Sequence, residues 1–169
     1  MLKGLLKLKK ALMTLYSSVA AVALFALIIC TFVQVVGRYI FNSSPAWTEE
    51  LARYVFIWFG SLGAAVALDK NLHASISVFT DLLPKSVQKY LAILMKIMIV
   101  VISVLMIITG LQLTKATLNT PSPAIRMPMA YVNSAIVFGG LGMAFTSVCA
   151  ILESLFGKKE EISQGGDNA

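Results

Sequence analysis

Charge is scarce in this sequence. Only 13% of its 169 residues are charged and 58% are hydrophobic, and the mean hydropathy is +0.83. A surface facing water carries more charge than this, so most of this surface faces lipid or another apolar protein. Histidine is nearly absent. His73 stands alone, and the two cysteines, Cys30 and Cys149, lie inside apolar runs. They read as small buried hydrophobes without metal-ligand spacing. The net charge of +6 would suggest nucleic acid in a soluble chain, but here the basic residues sit at the ends of apolar runs. Membrane orientation explains that placement better.

A second absence concerns carboxylates. The acidic residues are Glu49, Glu50, Asp69, Asp81, Glu153, Glu160, Glu161 and Asp167, all at or beyond the ends of apolar runs. Ion-coupled carriers keep an ionisable group or a pair of unwound helices near mid-bilayer. Here Gln34 and Gln112 are the large polar residues within the runs, each nearer an end than the centre. No inverted repeat and no paired broken helices are visible. The chain by itself therefore offers no obvious path for a charged substrate and reads as a support. A self-sufficient four-span exporter or channel is the alternative, and it lacks a coupling carboxylate. A membrane enzyme would need clustered His, Asp or Glu at one face. A holin-like pore would need a polar stripe, whereas the first, third and fourth runs are apolar nearly all round.

What is abundant is long hydrophobic runs. A spanning helix needs about 20 apolar residues. Ala11–Gly37, Ile97–Thr114 and Met127–Leu152 are uncharged throughout, and Leu91–Met95 extends the third if Lys96 snorkels. Tyr54–Leu68 is the shortest and needs Leu51–Arg53 to complete it. The expected fold is an all-α integral membrane protein of four transmembrane helices plus short amphipathic interfacial helices. One domain, 1–156, holds spans at about 11–40, 51–68, 91–114 and 128–152, and a polar, Gly-rich cytoplasmic tail, 157–169, is expected to be disordered. The first run follows the basic start MLKGLLKLKK but is far longer than a signal-peptide core of about 7–15 residues, so it reads as a retained span. A cytoplasmic N-terminus places Lys3, Lys7, Lys9, Lys10, Lys70, Lys85, Lys89, Lys96, Lys158 and Lys159 inside. It leaves Arg38, Arg53, Lys115 and Arg126 outside. The positive-inside rule favours that orientation, with both termini cytoplasmic.

Two stretches have amphipathic character. Leu72, Ile76, Phe79 and Leu83 step along one helical face of the 69–84 connection, with Asp69, Lys70 and Asp81 left for water; a plain connection is the alternative. Residues 1–12 mix leucines with Lys3, Lys7, Lys9 and Lys10. They suit an interfacial helix on anionic lipid, or simply the basic anchor of the first span.

NSSPAWTEELARYVFIW, 42–58, concentrates charge and aromatics. Ser44 before Pro45 predicts a helix start with a side-chain cap. Glu49 and Glu50 then lie near the positive end of the helix dipole, and Arg53 is within pairing reach of both. Trp47 and Tyr39 suit the interfacial belt. Capping and anchoring account for the stretch, and partner docking would use the same groups. Small residues four apart, Gly60/Ala64, Ser61/Ala65, Gly63/Ala67 and Gly140/Ala144, allow close helix approach, within a four-helix bundle or toward a partner. The connection 115–127 with Pro121 and Pro123, and Pro128 just beyond it, predicts a stiff non-helical link, with Arg126 snorkelling or touching an external partner.

VVGRYIFNSSPAWTEELARYVFIWFGSLGAAVAL (35–68), LHASISVFTDLLP (72–84) and PMAYVNSAIVFGGLGMAF (128–145), in this order and spacing, resemble the small membrane subunit, DctQ-like, of tripartite ATP-independent periplasmic (TRAP) transporters. The HASISV stretch is more polar than the family pattern. The resemblance implies a place in the bacterial inner membrane and no enzymatic role. It implies a large multi-span partner that carries an organic acid, of C4-dicarboxylate or sialic acid type, together with sodium. It also implies a periplasmic substrate-binding protein, with no cofactor in this chain and no nucleic acid. On that resemblance Trp47, Glu49, Glu50, Arg53 and Trp58 are the candidate large-subunit contacts, and Arg38, Ser43, Ser44 and Arg126 the candidate binding-protein contacts.

Overall fold

A computed structural model describes residues 2–43, 45–70 and 85–164. It contains helices α1 (Leu2–Ile40), α2 (Ala46–Asp69), α3 (Lys85–Ala116) and α4 (Ala130–Gln164). Each is long and apolar enough to cross a membrane, and no strand occurs among the described residues. The fold is the expected all-α membrane type. His73 and the connection expected to lie on the membrane fall outside the described residues.

α1 has 39 residues, about 58 Å at 1.5 Å rise and so well beyond an apolar core of about 30 Å. The basic lead-in is not a separate interfacial helix. Leu and Lys are good helix formers, and no proline interrupts them, so the first turns run straight into the span. At its far end Asn42 turns left-handed (φ 49°), a conformation Asn tolerates, and the Ser43 N–H donates to the Gly37 carbonyl at 3.0 Å. α2 begins earlier than the expected residue 51. Pro45 is the cap residue and makes no side-chain cap bond; Ala46 is the first helical residue. The expected start, with Ser44 as the cap and Pro45 as the first helical residue, is therefore displaced by one residue: Pro45 keeps an extended ψ of 127°, and Ser44 itself falls outside the described residues. α4 continues through Lys158–Glu161 to Gln164, so part of the tail expected to be disordered is helical. Lys and Glu sustain a helix in water as well as at a membrane surface.

The helices form a row in the order α1, α2, α4, α3, not a closed bundle. α4 packs along α3 and α2, α1 packs along α2, and α1 only grazes α4. Lipid removes the need to bury apolar edges, so Phe25 and Phe32 of α1 are both 66% exposed. Within the row small residues set the spacing. A Cβ on Gly139 would lie 2.7 Å from the Ser61 carbonyl oxygen, and one on Gly142 would lie 2.5 Å from the Tyr16 ring and 2.9 Å from Ala65. Ser61 and Ala65 are thus the small pair that seats α4. Tyr16 fills the notch at Gly142, and its hydroxyl donates to the Phe138 carbonyl at 3.0 Å. Met13, Tyr16, Ala20, Leu62 and Ala65 form the core around it. Gly140 faces α3, where a Cβ would lie 3.1 Å from the Ser103 carbonyl oxygen. A Cβ on Gly60 or Gly63 would meet nothing within 4 Å. Cys149 is buried, as a small hydrophobe should be, while Cys30 is half-buried.

Candidate functional site

Glu49 and Glu50 are neighbours in the first turns of α2, yet they face different surroundings. Each residue turns the helix by about 100°. Glu49 emerges into the open, 65% exposed, and pairs with Arg53 one turn on at 3.3 Å. Glu50 turns inward and is 8% exposed. Its Oε2 accepts the backbone N–H groups of Ala124 (2.8 Å) and Ile125 (2.9 Å). Its Oε1 accepts the Tyr54 hydroxyl, which also lies 3.2 Å from the Met129 sulfur.

The local sequence explains why a carboxylate is needed there. Ser122 and Pro123 open a single helical turn in the α3–α4 connection, closed by Arg126 N–H donating to the Ser122 carbonyl at 3.1 Å. Proline suits the first position because its missing N–H would have had no partner. The next two N–H groups, on Ala124 and Ile125, have no carbonyl behind them in the chain. Glu50, reaching from another helix, supplies the acceptor. Ser122 Oγ accepts Met127 N–H at 3.3 Å, and Ser122 N–H donates to the Met127 carbonyl at 2.9 Å. Arg126 adopts φ 59°, which swings the chain back toward α4. Met129 N–H reaches Thr120 (3.0 Å) beside the Pro121–Pro128 bridge, and Asn133 Nδ2 donates to Thr117 Oγ1 at 2.9 Å. A buried carboxylate is tolerable only when its oxygens are fully engaged, and three donors meet that condition.

Around this latch a groove of about 390 Å³ opens between the start of α2 and the connection, lined by Glu49, Arg53, Ile57, Pro123 and Asn133 among others. Along α2, Ala46, Glu49, Arg53, Phe56, Gly60 and Ala64 are all exposed. Their steps of three and four place them on one stripe that none of the described helices covers. Of the candidate residues, Trp47 (51% exposed), Glu49 and Arg53 lie at the open surface of the α2 start. Trp58 is half-buried, packed on the core cluster with its ring 5.7 Å from Phe138. Glu50 is committed to the latch. Arg38, in the last turn of α1, Ser43, in the α1–α2 connection, and Arg126, in the α3–α4 connection, are exposed at the same end of the row, and Ser44 is outside the described residues. Tyr54, Ser122 and Met129 were not candidates. Their signal was present as the Glu50–Tyr54 spacing of one helical turn and the Ser-Pro turn opening. Among the described residues no three His, Cys, Asp or Glu stand close enough to hold a metal. The arrangement pins a loop and presents surfaces.

The family model for tripartite ATP-independent periplasmic transporters, DctQ component, matches residues 27–157. The chain belongs to the DctQ family. It is therefore a multi-pass bacterial inner-membrane protein and a transporter subunit, not an enzyme. It is 31% identical to a TRAP transporter small permease protein of Haemophilus influenzae, over 76% of this chain and 80% of that one. It is 25% identical to the sialic acid TRAP transporter small permease protein SiaQ of Vibrio cholerae, over 89% and 86%. It is also 28% identical to the isethionate TRAP transporter permease protein DctMQ of Oleidesulfovibrio alaskensis, over 69% of this chain but only 19% of that much longer protein. The matched range holds the α2 start, the Glu50 latch and all three packing glycines of α4.

Proposed function

We propose that this DctQ-family chain braces a large, sodium-coupled transport subunit in the bilayer and helps to dock a periplasmic substrate-binding protein, without carrying substrate itself. The observation that carries the reading is the uncovered stripe of α2. An inner helix of the row, packed on two sides, leaves a third side bearing an ion pair, a phenylalanine and two small residues four apart. Gly60 and Ala64 permit a partner helix to approach closely, and Glu49 with Arg53 supplies polar groups at its interfacial end. The much longer relative DctMQ, a TRAP transporter permease protein of which this chain matches only one part, supports a partner in the same membrane. The N-terminus is cytoplasmic on this reading, as the lysine distribution favours, and the α3–α4 connection is periplasmic. The latch then holds Pro123–Arg126 in a fixed shape for the binding protein. Sodium sites belong to the large subunit. The substrate is an organic acid of the C4-dicarboxylate or sialic acid type, the second in keeping with the relative SiaQ.

Affinity purification of the tagged chain from its native membrane in mild detergent, followed by mass spectrometry, tests the brace. A stoichiometric large multi-span protein is expected; a homo-oligomer without one overturns the reading. Arg126→Glu tests the docking, and an unchanged affinity for the binding protein counts against it.

A further inference from the structure

The opposite end of the row contains a cavity that neither bracing nor docking uses. It measures about 500 Å³ and lies between the first turns of α1 and the last turn of α2. Lys9, Lys10, Lys70 and Asp69 line its charged mouth, Thr14, Ser17 and Ser18 add hydroxyls one to two turns further along α1, and Leu6, Met13 and Val66 form its apolar walls. Lys9 and Asp69 pair at 3.0 Å, both largely shielded, with side-chain exposures of 17% and 24%. That pair neutralises itself and ties α1 to α2, which leaves Lys10 and Lys70 as an excess of two positive charges around one cavity.

Depth decides what such a cavity can hold. Lys10 immediately precedes the uncharged run that starts at Ala11, and Asp69 and Lys70 follow the uncharged run that ends at Leu68. The cavity therefore straddles the level where hydrocarbon gives way to headgroups. An occupant must be anionic on the lysine side and apolar on the Met13–Val66 side. A bare phosphate leaves the apolar wall unused. A zwitterionic lipid brings a cation toward two lysines, with the one carboxylate already paired. We propose that this cavity binds the headgroup of an anionic phospholipid of the phosphatidylglycerol class, with Lys10 and Lys70 holding the phosphate and the first acyl carbons lying against Met13 and Val66. The site goes beyond the bracing role and holds whether or not that role is correct.

The test is native mass spectrometry of the delipidated full-length chain, offered phosphatidylglycerol and phosphatidylethanolamine in equal amounts with identical acyl chains. Phosphatidylglycerol is expected to be the lipid retained. The Lys10→Gln/Lys70→Gln double variant should retain it roughly 25-fold less, since each lysine near an anionic surface contributes about fivefold. Lys10→Arg/Lys70→Arg keeps the charge and should restore retention, which separates the site from a folding defect. Lys115→Gln, at the other end of the row, should change nothing. Equal retention of the two lipids, an unchanged Gln variant, an Arg variant that also loses the lipid, or an equal effect of Lys115→Gln would each overturn the proposal. Displacement of the lipid by excess inorganic phosphate would show that the site takes phosphate alone, which also overturns it.

Discussion

The two faces of α2 are built from the same materials and end in opposite situations. Each begins with a glutamate and continues with small residues four apart. On the inner face Glu50 meets Tyr54 and the two N–H groups of the α3–α4 connection, and Ser61 and Ala65 receive the glycines of α4. On the outer face Glu49 meets only Arg53, and Gly60 faces open space. A carboxylate or a glycine on a membrane helix is thus not itself a sign of partner contact. What matters is whether the chain already satisfies it. The inner face contributes stability to this subunit, and the outer face is left open by the described residues.

That contrast can be broken most severely at Glu50. Glu50→Ala removes the acceptor for two N–H groups and the tyrosine hydroxyl. Hydrogen exchange at Ala124 and Ile125 should accelerate roughly ten- to a hundredfold, as loss of charge-assisted hydrogen bonds implies, while exchange in mid-α3 stays unchanged. Unaltered protection would mean that the connection holds its own shape. Gly139→Val comes next. Its new side chain collides with the Ser61 carbonyl, so the detergent-solubilised chain should lose about 1–3 kcal/mol of stability in a denaturant titration.

The outer face should respond differently. Gly60→Leu should leave that titration unchanged, because no described residue comes within 4 Å of a Cβ there. The large subunit recovered with the chain should fall roughly tenfold, the factor that about 1.4 kcal/mol sets. A loss of stability with normal recovery would invert the assignment of the two faces. Glu49→Gln should have the smallest effect on the isolated chain, about 0.3–0.5 kcal/mol for an exposed pair one turn apart, measured in a double-mutant cycle with Arg53→Gln.

Much of this was legible in the residues. Run length and the scarcity of charge identify the spans, because each spanning helix must satisfy its own backbone in lipid. The order of WTEELARY, the lone histidine and PMAYVNSAIVFGG points to the family. The short second run was the hardest to bound, since Glu49, Glu50 and Arg53 interrupt its hydropathy although they sit on continuous helix. Trp58 is a candidate partner contact on the family resemblance alone; only the tertiary structure shows that its half-buried ring packs against Phe138 and the core.

The sequence by itself determined that this chain crosses the membrane several times, where its lysines gather, and which family it joins. Those properties depend on local hydropathy and on linear order. Only the tertiary structure decided that the helices stand in a row, that α4 is seated by Gly139, Gly140 and Gly142, and that Glu50 and not Glu49 holds the distant connection. The two glutamates are chemically identical neighbours. Their difference comes from one step of helix rotation and from a loop 74 residues away, whose unpaired N–H groups come within reach only once α2 and α4 have packed.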